Sequence, residues 1–281
     1  MAKMSGRSIA RLLLALGVVV GSGAARSVAD EPKPAGGQDE PALEGEAKAK
    51  YEADTDRFRK RYATIKTRDG IQQFLNELEA DGSRAARDFL MQYAKTVKSA
   101  EYRVQAFGAL TKIGGAKVNA FLCGKDGIKS GDSLVQQEAL DALGKGADKG
   151  AVQPMIDLLG DASLKIEVVG ALCIALGKLS PSDPNVETAL LKAASDRRDT
   201  IRANAVEALG YVASEKAMKL LLETLKSEKN ARVRAGAATG LGHAGKQEAI
   251  PALEDAAAND KAEQVKAAAI KSLRDLGATG K

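Results

Sequence analysis

The chain has 281 residues, of which 44% are hydrophobic and 28% are charged, and its formal net charge is +5. Its single histidine and two cysteines are too few for the clustered ligands of a zinc site. Positive and negative side chains are mixed along the same segments, and no one-signed stripe of the kind that binds nucleic acid is visible. No nucleic-acid partner is therefore expected.

Residues 1–29 are predicted to be a secretory signal peptide. Basic residues between Lys3 and Arg11 precede an apolar core at 12–20, and small residues at 27–29 provide a cleavage site. The apolar run is shorter than the roughly 20 residues that a membrane-spanning helix needs. We therefore expect export to the periplasm or secretion, with no stable membrane insertion after cleavage. Retention of the segment as an uncleaved anchor is the alternative.

The signal peptide carries four basic and no acidic residues, so its removal lowers the formal charge from +5 to +1. Residues 30–46 are rich in proline, glycine and acidic residues and are predicted to be a disordered linker. Residues 47–98 are predicted to contain a lead-in helix over 47–66 and a capping pair of helices over 69–80 and 83–97. Terminal repeats are usually atypical because one of their faces meets water.

A motif recurs six times between residues 99 and 281. Its leucine occupies positions 110, 143, 176, 209, 241 and 273, so successive leucines differ in number by 33, 33, 33, 32 and 32. A fixed period in this range is typical of stacked repeats. Apolar or small residues recur one, three, four and eight positions before each leucine, which places them on one stripe of an α-helix.

Each repeat is predicted to be a pair of helices. A glycine follows the leucine in four repeats and is predicted to end the first helix, because glycine adopts the left-handed conformation freely. These glycines are Gly144, Gly177, Gly210 and Gly242. A second apolar run with helical spacing follows each of them. One pair cannot bury its apolar face alone, so the fold class is all-α, an α-solenoid of stacked antiparallel helix pairs.

The motif is most regular from Asp199 to Gly210, with Arg202 inside it, and Arg234 occupies the equivalent position one repeat later. This pattern resembles the HEAT-like repeats of bacterial proteins, including those of the phycobilin lyase type, over roughly residues 70–281. The period is shorter than the about 40–47 residues of long HEAT repeats, and the arginine column is incomplete. The resemblance implies that Asp199, Arg202 and Arg234 form a structural ladder between repeats. Contacts of the two arginines with acidic groups of a partner are the alternative.

Few residues suggest catalysis. His243 lies two positions after the repeat leucine and is predicted to be a solvated turn residue. Deoxyhypusine hydroxylase has HEAT-like repeats, but its iron requires several His–Glu pairs, which one histidine cannot supply. Neither a nucleophile elbow nor a phosphate-binding loop is visible. No metal or cofactor is expected, and the protein is predicted not to be an enzyme.

The leading hypothesis is an exported, non-enzymatic binding or scaffold module. It would hold a protein or peptide partner on a concave surface lined by the second helices of the pairs. Lys216, Lys219 and Glu223, which share one second helix, are the candidate partner-binding residues. Two alternatives stay open: a bilin-lyase-like, cofactor-handling protein, by analogy of fold alone, and a structural subunit of an envelope assembly.

Cys123 and Cys173 are predicted to be free thiols. An exported protein with two cysteines usually forms a disulfide, but these residues belong to helix pairs two repeats apart. Packed helices lie about 8–10 Å apart, whereas a disulfide needs Cα atoms within about 7 Å. Cys173 also occupies an apolar column, where a free cysteine packs as a small hydrophobic residue.

Overall fold

The computed structural model describes residues 40–146 and 149–278, so the predicted signal peptide and residues 30–39 of the predicted linker lie outside the described residues. Within those two ranges the chain forms fourteen α-helices and two short 3-10 helices, with no β-strand. The predicted all-α class of stacked helix pairs is confirmed. The chain divides into two compact units, Met1–Asp126 and Gly127–Lys281.

Five helices make up the described part of the N-terminal unit. They are α1 (Gly45–Thr64), α2 (Arg68–Asp81), α3 (Arg84–Thr96), α4 (Ala100–Ile113) and α5 (Ala116–Cys123). The two units divide after Asp126, so residue 99, where the repeats are predicted to begin, lies inside the N-terminal unit, and that repeat boundary stays a prediction. The reason is packing: α4 contacts both α2 and α3, so the first regular repeat joins the capping pair in one unit.

An aromatic cluster forms the core of the N-terminal unit. Phe58 and Tyr62 of α1 pack against Phe74 of α2 and against Phe89 and Tyr93 of α3. The ring centroids lie between 5.4 and 6.4 Å apart, mostly in edge-to-face geometry, which favours aromatic pairs beyond the area that they bury. The lead-in helix therefore becomes a third layer of the cap.

The chain before α1 rests on α3. Nη2 of Arg87 donates to Oε2 of Glu40 at 2.7 Å, and the hydrogen bond from Arg87 lowers the pKa of Glu40, whose own burial opposes that shift. Nη1 of Arg84 donates to the carbonyl of Pro41 at 3.0 Å. The last two residues of the predicted linker, 45 and 46, belong to α1, which begins at Gly45.

Nine helices make up the described part of the C-terminal unit. They are α6 (Ser133–Gly146), α7 (Val152–Leu158), α8 (Ile166–Leu179), α9 (Pro184–Ala193), α10 (Asp199–Val212), α11 (Glu215–Ser227), α12 (Ala231–Ala244), α13 (Ile250–Asn259) and α14 (Glu263–Asp275). The even-numbered members are the first helices of the pairs and lie side by side, each in contact with the next. The odd-numbered members are the second helices. The repeat leucines of the first helices are all buried in the resulting core.

Side-chain caps set several helix ends. The carboxylate of Asp183 accepts a hydrogen bond from the backbone N–H of Asn185, and Pro184 opens α9 as its sequence predicts. Ser214 caps α11 and Asn230 caps α12 in the same manner. At the other end of α12, Gly245 has φ of 68°, the left-handed conformation that commonly ends helices. These caps position the short loops between the stacked helices.

The glycine after each repeat leucine does not end its helix, so that prediction is wrong. Gly144, Gly177, Gly210 and Gly242 all lie inside first helices, which continue for two further residues. A Cβ added at Gly177 would lie 2.7 Å from the carbonyl oxygen of Ala208, and one at Gly210 would lie closer still to the carbonyl of Gly240. These glycines recur in register because the backbone of the next first helix approaches them.

Both cysteines are buried free thiols in their respective units. Burial raises the pKa of Cys123 to about 12. Burial also raises the pKa of Cys173 to about 12, with a smaller contribution from the negative charge of Asp196. Thiolate is the reactive form of cysteine, so neither side chain is activated as a nucleophile.

Replacing Gly210 with alanine is expected to destabilise the protein by about 3 kcal/mol or more, because the new methyl group would collide with backbone rather than with a side chain that can move. Gly108→Ala is the matched control. Gly108 lies inside α4 with no atom within 4 Å of an added Cβ, so its replacement should stabilise the helix by about 1 kcal/mol. Urea unfolding of both variants measures the difference, and equal stability would contradict the role given to Gly210.

Candidate interaction groove

A groove of about 1030 Å³ runs across four first helices of the C-terminal unit, α6, α8, α10 and α12. Among the described residues, none from a second helix lines it. The groove is therefore formed by first helices, whereas the sequence predicts a partner-binding surface on the second helices, and that surface stays a prediction. The physical reason is the column of small residues, which brings the first helices close together and exposes their remaining sides as one continuous surface.

The floor of the groove consists of small and apolar side chains. Its members are Leu140, Val168, Ala171, Ile174, Ala175, Ala203, Ala235 and Gly236. A Cβ added at Gly236 would lie 2.6 Å from the carbonyl oxygen of Ala203 on the preceding first helix. The side chains of the floor are small because the same positions determine how closely the neighbouring helices pack.

One rim follows the N-terminal ends of the first helices. Nζ of Lys165 donates to Oγ of Ser133 at 3.3 Å, and Nη1 of Arg232 donates to Oγ1 of Thr200 at 2.8 Å. In both pairs a basic side chain at the start of one first helix reaches a hydroxyl group on the preceding one. Glu167 is the acidic residue of this rim.

The other rim follows the C-terminal ends of the same helices. Lys178 and Glu207 belong to this rim, and beside it, outside the groove lining, the ring of Tyr211 stacks on His243, with centroids 4.4 Å apart and planes at 17°. Oη of Tyr211 lies 3.1 Å from Nε2 of His243, and Oε1 of Glu207 lies 3.6 Å from the same nitrogen. Nζ of Lys178 lies 5.5 Å from the Tyr211 centroid, within range of a cation–π interaction.

His243 is therefore not the solvated turn residue that its sequence predicts. It lies in the last turn of α12, and its side chain is 29% exposed. Lys178, Tyr211 and His243 occupy the same position in three successive repeats, two places after the repeat leucine. That shared position is the signal that could have predicted their contact.

Two amide side chains face the groove without a partner. Gln137 of α6 and Asn204 of α10 line it. Neither side chain makes a hydrogen bond to any residue between 40 and 146 or between 149 and 278. An amide group offers both an acceptor and two donors, so this pair can hydrogen-bond to a polar chain lying on the floor.

The candidate partner-binding residues predicted from the sequence lie elsewhere. Lys216, Lys219 and Glu223 are exposed on α11, a second helix that takes no part in the groove. The structure brings them onto one helix face but joins them to no cavity. Their role in binding stays a prediction.

Arg202 and Arg234 bind the loops at the ends of their helices. Arg202 donates to the carbonyl of Asp196 at 2.8 Å and to Oδ1 of Asp199 at 2.6 Å, and its Nε lies 3.5 Å from Oε2 of Glu228. Asp199 also accepts from the side chain of Asn230 at 2.5 Å, across to the next repeat. These contacts connect successive repeats.

The Arg234 guanidinium binds both carboxylate oxygens of Asp260, at 2.7 and 2.8 Å. The same side chain donates to the carbonyls of Glu228 and Lys229. The hydrogen bond from Arg234 lowers the pKa of Asp260, and burial of the carboxylate opposes the shift. The pair is well shielded, since the exposed fractions of the two side chains are 14% and 10%.

Metal ligands and membrane spans are both absent from the described residues. No group of three or more His, Cys, Asp or Glu side chains within residues 40–146 and 149–278 is arranged to hold a metal ion. Across the same part of the chain, none of the helices combines the length and the apolar character that crossing a lipid bilayer requires.

The family model described as HEAT repeats matches residues 187–274, which confirms the predicted resemblance over that stretch. No curated protein matches the chain. One similar solved structure is human deoxyhypusine hydroxylase in complex with glycerol, at 17% identity and a TM-score of 0.37, covering 82% of this chain and 98% of that one. Another is the complex of CpcE and CpcF of phycocyanin lyase from Nostoc sp. PCC7120, at 22% identity and a TM-score of 0.40, covering 88% and 92%.

These two likenesses concern the fold alone, since sequence identity is low in both. They still correct one prediction. The chain is predicted not to be an enzyme, yet one similar fold belongs to an enzyme and the other to a lyase. That prediction is wrong as stated, because a helical repeat fold gives no ground for excluding catalysis.

Replacing Arg234 with alanine is expected to lower the free energy of unfolding by about 1.5–3 kcal/mol at pH 7, because it leaves a shielded carboxylate without its charged hydrogen bonds. Asp260 has a lowered pKa in the folded state. Its stabilising contribution is therefore present above the unfolded pKa of about 3.9 and is lost as the pH falls through the folded value.

The measurement is urea unfolding at pH 7 and at about pH 2, where the difference between wild type and Arg234→Ala should shrink. Arg232→Ala is the matched control on the same helix. Its partner is a hydroxyl group on the groove rim, so its effect should stay within about 0.5 kcal/mol. Equal losses in the two variants would contradict the importance of the Arg234–Asp260 pair.

Proposed function

We propose that the protein is an interaction module that binds an extended peptide segment of a partner protein in the groove of the C-terminal unit. HEAT repeats are a protein-interaction or scaffold fold. The observation that carries the proposal is the groove itself, with a low apolar floor and the unpartnered amides of Gln137 and Asn204.

The free amides favour an extended partner over a helical one. An extended chain has unpaired backbone N–H and C=O groups that need hydrogen bonds when they leave water, whereas a helix satisfies its own. Four helices about 8–10 Å apart span roughly 25–30 Å. At about 3.3 Å per residue, that length accommodates about eight extended residues.

The rims favour a partner with charges of both signs. Lys165 and Arg232 stand on the N-terminal rim. On the other rim Asp141 pairs loosely with Lys145, at 3.6 Å, and Glu207 lies near His243. Because both signs are present on exposed side chains, the charged contacts are expected to select and orient the partner more than to supply its affinity.

We also propose that the protein works outside the cytoplasm, on the basis of residues 1–29. Expression of the full sequence in a bacterial host should give a mature protein whose first residue is Asp30, because cleavage follows the small residues at 27–29. Mass spectrometry of the purified protein measures its N-terminus. Ala29→Arg should block cleavage, and a wild-type product that retains residues 1–29 would contradict the assignment.

The groove is tested with Ala171→Arg. Ala171 is an exposed residue of the floor, so an arginine there fills the groove without entering the core. Peptides of about ten residues selected from a random displayed library on the wild-type protein are the probe. We expect their affinity for Ala171→Arg to fall at least about tenfold, which corresponds to roughly 1.4 kcal/mol, as measured by fluorescence anisotropy.

Lys219→Glu is the matched control, because it changes a charge on α11 outside the groove. It should leave peptide affinity unchanged. Loss of binding in Lys219→Glu with full binding in Ala171→Arg would move the site to the second helices. Failure to select any peptide that Ala171→Arg rejects would contradict a peptide-binding groove.

A further inference from the structure

Helix α14 is the last of the first helices in the C-terminal unit, and the rest of the unit leaves its outer face uncovered. Val265, Ala269 and Leu273 of α14 are buried against α12 and α13. On the opposite side Glu263, Ala267, Ile270 and Arg274 recur at intervals of four, three and four, which places them on one stripe. All four are exposed. We call this set the α14 stripe.

Ile270 is the unusual member of the stripe. It lies three positions before the repeat leucine, as do the buried residues Leu140, Cys173, Val206 and Ala238 of the preceding first helices. Ile270 is 44% exposed. In the part of the chain that the structure describes, no further first helix covers it. Covering its exposed apolar surface would be favourable by roughly 25 cal/mol for each Å² removed from water.

Arg274 restricts what can cover this face. It occupies the position that is glycine in α6, α8, α10 and α12, where the backbone of the next helix comes close. An arginine in that column prevents another parallel first helix from packing at the internal spacing. The cover must therefore accommodate a large basic side chain at this end of α14.

The stripe is complementary to itself in the antiparallel direction. When two copies of α14 lie antiparallel about a two-fold axis, Glu263 of one copy faces Arg274 of the other, and Ala267 faces Ile270. The two-fold axis produces each pairing twice, so the interface contains two acid–base contacts and two contacts between a small and a large side chain. Such an interface is isologous, with the same surface used by both chains.

We propose that two copies of this chain associate through antiparallel pairing of their α14 stripes. Both charged ends are available for it. The side chain of Glu263 is 89% exposed, and its ion pair is with Lys266 of the same helix at 3.3 Å. Arg274 forms no ion pair with any described residue.

This association is independent of the proposed peptide groove. No residue of α14 lines the groove, so a partner peptide and a second copy use different surfaces. One helix face is smaller than the interfaces of about 1,200–2,000 Å² that form stable complexes. The dimer therefore dissociates on dilution.

Charge reversal and charge exchange test the pairing. Sedimentation velocity of the mature chain over a wide concentration range should show a wild-type dimer that grows with concentration. Arg274→Glu places like charges together at both ends of the interface and should remain monomeric. The double variant Glu263→Arg/Arg274→Glu restores opposite charges in exchanged positions and should regain the wild-type dimer.

Glu254→Arg on α13 is the matched control, because Glu254 is exposed and lies outside the stripe, so it should dimerise as wild type does. Ile270→Gln should weaken the dimer without changing the charges. All exchanged side chains are exposed, and circular dichroism and thermal melting verify that each variant folds. A wild type that stays monomeric, an Arg274→Glu variant that dimerises normally, or a double variant that does not recover would each overturn the proposal.

Discussion

The close approach of consecutive first helices is the constraint on which the C-terminal unit depends. Gly177 meets Ala208, and Gly210 meets Gly240, across gaps that would not admit a methyl group. Because the backbones are so near, the first helices form a continuous wall, and the second helices pack against its other side. The groove is the exposed surface of that wall.

Ion pairs and caps between repeats then determine where the ends of those helices lie. Arg234 binds the loop that precedes its own helix, α12, and the carboxylate of Asp260, which precedes the next first helix, α14. Asp199 and Asn230 make a similar connection one repeat earlier. Since the groove rims are the ends of the first helices, these shielded contacts also position the polar side chains that a partner would meet.

The regular spacing of the repeat leucines was sufficient to predict the helix pairs, the buried leucine column and the solenoid class. It did not predict the role of Gly210 or the side on which the groove lies. Periodicity shows which side chains share a stripe. It does not give the distance between neighbouring backbones, which determines whether a glycine ends a helix or permits close packing, and which side of the helices forms the groove. The contact of Tyr211 with His243 does not follow from either position taken singly, because it arises from stacking, which brings together residues one period apart.

The double role of the groove floor has a consequence for evolution. Ala203 and Gly236 both line the groove and separate α10 from α12 at close range. A mutation that reshapes the floor to suit a new ligand would also push two helices apart, so selection for folding opposes it. The rim residues Lys165, Glu167 and Arg232 do not determine the spacing of the helices, because they lie at the helix ends. Related chains are therefore expected to diverge in specificity through their rims while their floors change little.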